Sequence, residues 1–227
     1  GALDYISAAA DGKPVVLGVQ RRTETQFYNS AVLLGPSANV TQTYDKHHLV
    51  PFGEYVPFAD VMNRWGIRGI ASQFNSGFSA GPGAELMDLG PLGQALPLIC
   101  YEAVFARDVN AAPKRPAFLM QLTNDAWFGK GQGPLQHLAQ ARMRAIEQGL
   151  PMARVANTGV SAMIDPWGQV TASLALNQAG FLDARLPAPR AATIYSRLGE
   201  WPFLAILFAG FSALVVVRSR ESAKVKV

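Results

Sequence analysis

A chain of 227 residues is long enough for one domain with a sizeable core and short for two. Hydrophobic residues make up 49% of it and charged residues only 16%, against roughly 25% in soluble proteins, which argues for contact with a membrane. The net charge of +4 comes from basic residues that are scattered except at Arg21-Arg22 and in the tail Arg218, Arg220, Lys224 and Lys226, so no nucleic-acid partner is expected, and the single cysteine excludes an internal disulfide.

The chain opens Gly1-Ala2-Leu3-Asp4, with neither an initiator Met nor a basic-then-apolar signal segment, and its natural start is expected upstream. PVVLGVQ, from Pro14 to Gln20, is β-branched and apolar without alternation, which predicts a strand covered on both faces. RRTETQFY reads as a polar connection to a second strand at Asn29 to Leu34, and Gly35-Pro36-Ser37 as a turn into a third near Val40 to Tyr44. From Pro51 to Gly93 the chain is irregular and rich in Gly and Pro, with Trp65, Ile67, Ile70, Phe74 and Phe78 spread along it. Loops this long are commonly functional or disordered.

ALPLICYE then reads as a buried strand, Ala103 to Ala112 as a helix, and PAFLMQLTNDAWFG as a strand running into a loop. Pro134 opens a helix from Leu135 to about Gly149, closed by Gly149-Leu150-Pro151. PMARVANTGVSAMID and GQVTASLAL predict two strands around the turn Asp165-Pro166-Trp167-Gly168. This order of elements is that of a layered α/β domain. Trp201 to Val217 runs 17 residues without a charge, about 26 Å as a helix and near the lower limit for a membrane span. Trp201 at one end and Arg218 and Arg220 at the other are the flanks such a span would carry; a buried core helix is the alternative.

Cys100 ends the strand Leu98-Ile99 and precedes Tyr101-Glu102 at a strand-to-helix turn. Such a turn exposes a nucleophile at a sheet edge, beside backbone N–H groups that can hold an oxyanion; a small buried hydrophobe is the other reading. A thiol is only a few per cent ionised at neutral pH and needs a base or cation nearby. The segment Tyr44-Asp45-Lys46-His47-His48-Leu49-Val50-Pro51-Phe52-Gly53-Glu54 offers Lys46 and Glu54, while His47-His48 lacks a second cluster that would make a metal site. Asn124-Asp125 leaves another strand, either to line a site or to cap a turn, and His137 and Arg144 can share a helix face, which reads as a packing and salt-bridge surface.

YDKHHLVPFGEYVPF, ICYEAVF, LTNDAWFG, GPLQHLAQARMRAIEQGLPMARVANTGVSAMIDPWGQV and the final hydrophobic segment resemble, in order, the signatures of the apolipoprotein N-acyltransferase family, a membrane branch of the nitrilase (carbon-nitrogen hydrolase) superfamily. The resemblance implies a nitrilase-like αββα sandwich followed by one C-terminal transmembrane helix. It divides the chain into a catalytic domain at 1–195, a connector at 196–200, the membrane helix at 201–217 and a basic cytoplasmic tail at 218–227. It also implies a Glu-Lys-Cys triad in which Cys100 is the nucleophile and Lys46 the lysine. Glu54, Tyr101, Glu102, Asn124 and Trp127 are then supporting or substrate-binding residues. The triad glutamate has no counterpart among Asp4, Asp11, Glu24 and Asp45, so the general base is expected upstream, as are several membrane helices.

The implied reaction takes an acyl chain from a membrane phospholipid, stores it as a Cys100 thioester, and passes it to the α-amine of a diacylglyceryl-cysteine on an apolipoprotein. Neither cofactor nor metal is implied. The partners are the phospholipid donor, the lipoprotein acceptor and the bilayer, with Trp65, Phe74 and Phe78 on a lid or arm that touches it. The implied setting is the bacterial inner membrane, with the domain periplasmic and the C terminus cytoplasmic. A nitrilase-type amidase acting on a small amide and a noncatalytic lipoprotein-binding scaffold are the rivals.

Overall fold

The computed structural model describes residues 1–58 and 77–224, with the side chains of 219–224 outside the description. Trp65 and Phe74, the core of the expected membrane-touching arm, lie outside the described residues.

Helix α1 (Ala2–Ala9) leads into an antiparallel sheet of three strands, β1 (Val15–Arg22), β2 (Phe27–Leu34) and β3 (Val40–Asp45), in that order. The polar stretch RRTETQFY is shorter as a connection than its composition suggests. Arg21 pairs with Tyr28 and Arg22 with Phe27, so the hairpin continues to its tip. The reason is local: the Arg21 guanidinium lies 4.5 Å from the Tyr28 ring and that of Arg22 5.2 Å from the Phe27 ring, and such contacts stabilise a cross-strand pair of otherwise mismatched residues.

The second sheet has six strands, β4 (Met87–Asp88), β5 (Gln94–Ile99), β6 (Phe118–Asn124), β7 (Met152–Asn157), β8 (Ser161–Ile164) and β9 (Val170–Leu174), again in chain order. Strands β5, β6 and β7 are parallel and the rest antiparallel. Parallel neighbours need crossovers. The first is a 3-10 turn at Cys100–Val104 followed by α2 (Ala106–Asn110), and the second a 3-10 turn at Asp125–Phe128 followed by α3 (Gly133–Gln148). The expected single helix from Ala103 to Ala112 is thus two shorter pieces. The expected first strand of the later pair is also two, because Asn157-Thr158-Gly159-Val160 turns the chain between β7 and β8, with Thr158 at φ +59°.

Alternation along β5 and β6 builds the layers. Ala95, Ile99, Phe118 and Met120 pack inward with Ala31, Leu33 and Tyr44 of the smaller sheet, while Leu96, Leu98 and Leu119 face Val109, Ala141, Ala145 and Leu150 of the helical layer. Being apolar on both faces, these strands read as unbroken runs in the sequence. Each fully buried Leu contributes roughly 1.5–3 kcal/mol relative to exposure. Helix α3 begins at Gly133-Pro134 and ends at Gly149, which takes the left-handed conformation at φ +61°. A side chain there would also press to 2.9 Å from the Ala191 carbonyl oxygen, so glycine is required twice over.

After β9 the chain runs without regular structure to α4 (Ile194–Leu198), which straddles the expected connector, and then to α5 (Trp201–Lys224). The stretch Trp201–Arg218 is long and apolar enough to cross a membrane, and none of it is buried against the domain. Among the described residues this helix is not packed as a core helix would be: Phe203, Ile206, Phe208, Phe211 and Leu214 are each more than half exposed.

Candidate active site

Strands β5, β6 and β7 end at one edge of the larger sheet, placing Cys100, Asn124 and Asn157 just beyond or at their carboxyl ends, where open parallel sheets commonly bind ligands. Cys100 is partly buried and sits at φ +52°. For a residue with a Cβ this left-handed conformation costs roughly 1–2 kcal/mol and turns the chain sharply out of the strand.

Three side chains hold this turn. Glu102, fully buried, folds back so that its Oε2 accepts the Ile99 N–H at 2.7 Å. Its Oε1 accepts the Tyr44 hydroxyl at 2.9 Å and the N–H groups of His47 and His48 at 2.8 and 3.3 Å. One carboxylate therefore ties the segment that carries Lys46 to the turn that carries Cys100. From α3, His137 Nε2 lies 3.2 Å from the Cys100 carbonyl oxygen, and one Arg144 amine donates to the Val104 carbonyl at 2.6 Å. His137 and Arg144 do share a face, and that face grips both ends of the Cys100–Val104 turn.

Lys46 is 1% exposed, and its Nζ donates to Glu54 Oε2 at 2.6 Å. Glu54 also accepts the Val50 N–H at 2.8 Å and the Asn29 amide at 3.1 Å, so the turn Pro51-Phe52-Gly53 is folded around its carboxylate. Tyr101 packs edge-on to both Phe105 and His48, whose ring stacks on Phe105 at 4.3 Å. One ring nitrogen of each member of the His47-His48 pair is engaged by protein groups: Nδ1 of His47 is 2.9 Å from both Tyr44 Oη and Glu102 Oε1, and Nδ1 of His48 is 2.5 Å from Asp108 Oδ2.

Asn124 and Trp127 are placed differently. The Asn124 side chain caps the following turn, accepting from the Ala126 N–H at 3.2 Å and from Asn157 at 3.3 Å, while Trp127 is 72% exposed. They flank the sheet edge, and none of the hydrogen bonds at Cys100 or Lys46 involves them.

A polar cluster lies beneath Cys100; sequence reasoning singles out its Asp125 and His137 but passes over Gln121 and Arg154. Asp125 and Arg154 are paired at 2.5 Å with both side chains fully buried, and His137 Nδ1 lies 2.9 Å from the other Asp125 oxygen. The available signal was one charge, Arg154, inside the otherwise apolar PMARVA. Burial alone would raise the Asp125 carboxyl, but the His137 hydrogen bond and the Arg154 charge outweigh it and hold it below the usual carboxylate range. Around Glu102 the shifts are upward. Its hydrogen bond raises the His47 imidazole against the opposing effect of burial, and burial followed by the Glu102 charge pushes the Tyr44 hydroxyl far up, so it stays a donor.

Residues 7–195 match the family model described as carbon-nitrogen hydrolase. The apolipoprotein N-acyltransferase of Rhodopseudomonas palustris is 47% identical over 199 residues, which are 88% of this chain and 37% of that protein. That of Bradyrhizobium diazoefficiens is 47% identical over 196 residues, 86% of this chain and 36% of that protein. The chain thus spans a little over a third of the length of these relatives. Among solved structures, an amidase from Nesterenkonia sp. AN1 with acrylamide added at its active site cysteine superposes with a TM-score of 0.59 at 19% identity, covering 91% of this chain and 74% of that one. A carbon-nitrogen hydrolase from Helicobacter pylori G27 gives a TM-score of 0.57 at 15% identity, covering 78% and 64%. At these identities the likeness speaks for a nitrilase-like fold.

Proposed function

Because this chain belongs to the carbon-nitrogen hydrolase family, we propose that Cys100 is the nucleophile of an N-acyltransferase that moves an acyl chain from a phospholipid to an apolipoprotein. One observation carries the reading: a cysteine at φ +52° on a strand-to-turn junction, bound through Glu102 to the segment that bears a buried lysine, in a chain that ends in an apolar helix with no protein cover. The names of the relatives supply the substrate class.

The chemistry proceeds in two halves. The Cys100 thiolate attacks the ester carbonyl of the donor, the C–S bond forms, the C–O bond breaks, and the lysophospholipid leaves with the proton returned by a general base. The neutral α-amine of the diacylglyceryl-cysteine then attacks the thioester carbon; C–N forms, C–S breaks, and the amine's proton passes to the same base. Lys46 stabilises first the thiolate and then the oxyanion, together with the Tyr101 N–H, and Glu54 orients Lys46.

The general base is a glutamate upstream of Gly1. Its assignment there is supported by how the nearby carboxylates are used: both oxygens of Glu54 and both of Glu102 already accept hydrogen bonds. In this reading Tyr101, Asn124 and Trp127 line the substrate's approach to Cys100. The domain at 1–195 faces the periplasm, Trp201 to Val217 crosses the inner membrane, and the tail is cytoplasmic.

Labelled phospholipid should mark the full-length protein through a hydroxylamine-sensitive bond that Cys100→Ala abolishes; equal labelling of the alanine variant would exclude Cys100. Residues 1–227 alone should form the thioester a hundred- to ten-thousandfold more slowly, the usual worth of general-base catalysis. Equal rates would make Glu54 or Glu102 the base. Turnover of a soluble amide that survives deletion of Trp201–Lys224 would instead favour an amidase.

A further inference from the structure

Beneath the turn at Cys100, four elements each contribute one polar side chain: Gln121 from β6, Asp125 from the turn that follows it, His137 from α3 and Arg154 from β7. None is more than 3% exposed. Arg154 donates to Asp125 Oδ2 at 2.5 Å, to Gln121 Oε1, and to the Val160 carbonyl at 3.2 Å. Asp125 Oδ1 also accepts from Thr123 at 3.0 Å.

His137 bridges the cluster to the turn: its Nδ1 lies 2.9 Å from Asp125 Oδ1 and its Nε2 3.2 Å from the Cys100 carbonyl oxygen. Arg154 fixes the Gln121 carbonyl, so the Gln121 NH2 faces the other way, 3.1 Å from His137 Nε2 and donating to the same Cys100 carbonyl oxygen at 3.3 Å. A buried ion pair adds little to stability over an apolar filling of the same volume, so stability alone gives no reason for it to lie here.

Its position supplies one. The Cys100–Tyr101 peptide is planar and trans, so anchoring its carbonyl on the network side points the Tyr101 N–H the opposite way. Tyr101 is the second residue of a 3-10 turn, and its N–H has no preceding turn carbonyl to bond. That amide hangs on a residue at φ +52°, a conformation that relaxes unless it is held. Burial holds the Arg154 guanidinium below its ordinary range, and the charge and hydrogen bond of Asp125 oppose that shift.

We propose that Gln121, Asp125, His137 and Arg154 are positioning residues that lock the Cys100–Tyr101 peptide so that the Tyr101 N–H is aimed in advance at the oxyanion of the acyl-transfer step. The inference rests on the acyl-enzyme chemistry proposed above. Its specific consequence is that breaking the network harms a reaction that develops an oxyanion and spares one that does not.

The experiment compares two reactions of Cys100 in the full-length protein: acylation by the soluble ester p-nitrophenyl butyrate, and alkylation by iodoacetamide, a displacement that forms no oxyanion. Gln121→Met conserves volume and removes both donors. It should lower kcat for acylation about ten- to a hundredfold, the scale of a misaimed oxyanion donor, with KM and the alkylation rate within about threefold of wild type. His137→Asn keeps an amide that can donate to Asp125 but leaves no group at the Nε2 position beside Gln121 and the Cys100 carbonyl, and should give an intermediate loss with the same separation between assays; it carries the test if Gln121→Met does not fold. Equal losses in both assays, or none in either, would overturn the proposal. If wild type takes the acyl group from the soluble ester but not from phospholipid, the lipid substrate is wrong and the positioning role stands. If it takes it from neither, both readings fail.

Discussion

Lys46 Nζ and Glu54 Oε2 lie 2.6 Å apart, with the lysine almost wholly removed from water and the glutamate 14% exposed. Each is expensive to bury alone, so removing the carboxylate strands a charge. Glu54→Ala should destabilise the domain by about 3 to 5 kcal/mol, and Glu54→Gln by clearly less, because an amide oxygen still accepts from Lys46 and from the Val50 N–H. Denaturant melts of the two variants test this, and equal stability of wild type and Glu54→Ala would show that the pair is not formed in solution.

Cys100 and Glu102 belong to one strained turn, and strain has a measurable signature. At φ +52° any Cβ carries a penalty that glycine escapes. Cys100→Gly should therefore be as stable as Cys100→Ala or up to about 1 kcal/mol more so, reversing the usual order. A glycine variant less stable by that amount would mean the turn is relaxed.

For His47 the raised imidazole makes a pH prediction. The hydrogen bond to Glu102 is the leading cause, so NMR titration should place its midpoint above the ordinary value near 6.5, and Glu102→Gln should bring it down. The folded value exceeds the unfolded one, so this contribution to stability is fully present below about pH 6.5 and is lost as pH rises through the folded midpoint. A midpoint unchanged by Glu102→Gln would remove Glu102 as the cause.

Asp125 behaves with the opposite sign. Its carboxyl is held below the usual range, so its contribution is present above about pH 3.9 and is lost as pH falls through the lowered folded value. Asp125→Asn, which leaves the Arg154 charge unpaired, should cost about 3 to 5 kcal/mol at neutral pH and flatten the acid limb of the stability profile. An acid limb of unchanged steepness would assign it to other carboxylates.

Orientation can be read with a reporter fused after Val227. Arg218 and Arg220 follow the apolar stretch directly, and positive charges within about 15 to 20 residues of a span favour the cytoplasm. A reporter active only in the periplasm would reverse the topology.

By itself the sequence determined what depends on local pattern. Unbroken apolar runs announced β5 and β6, Pro134 and Gly149 bounded α3, and the uncharged run after Trp201 announced α5, because burial on both faces, ring geometry, a left-handed cap and a long stretch without charge are each written within a few residues of chain. Strand-to-turn placement singled out Cys100, and the motif resemblance paired it with Lys46. What a carboxylate does, in contrast, depends on partners distant in sequence. Glu102 meets His47 across 55 positions, and Asp125 meets Arg154 across 29. Asn124 and Asp125 stood out together, with lining a site and capping a turn both open, and folding divided the two roles: it turned Asn124 to a cap, left Trp127 in solvent and buried Asp125 under Cys100. Only the tertiary structure could decide this, because a polar side chain's role is set by whichever donors and charges the packed layers bring within about 3 Å of it, and no local pattern records that.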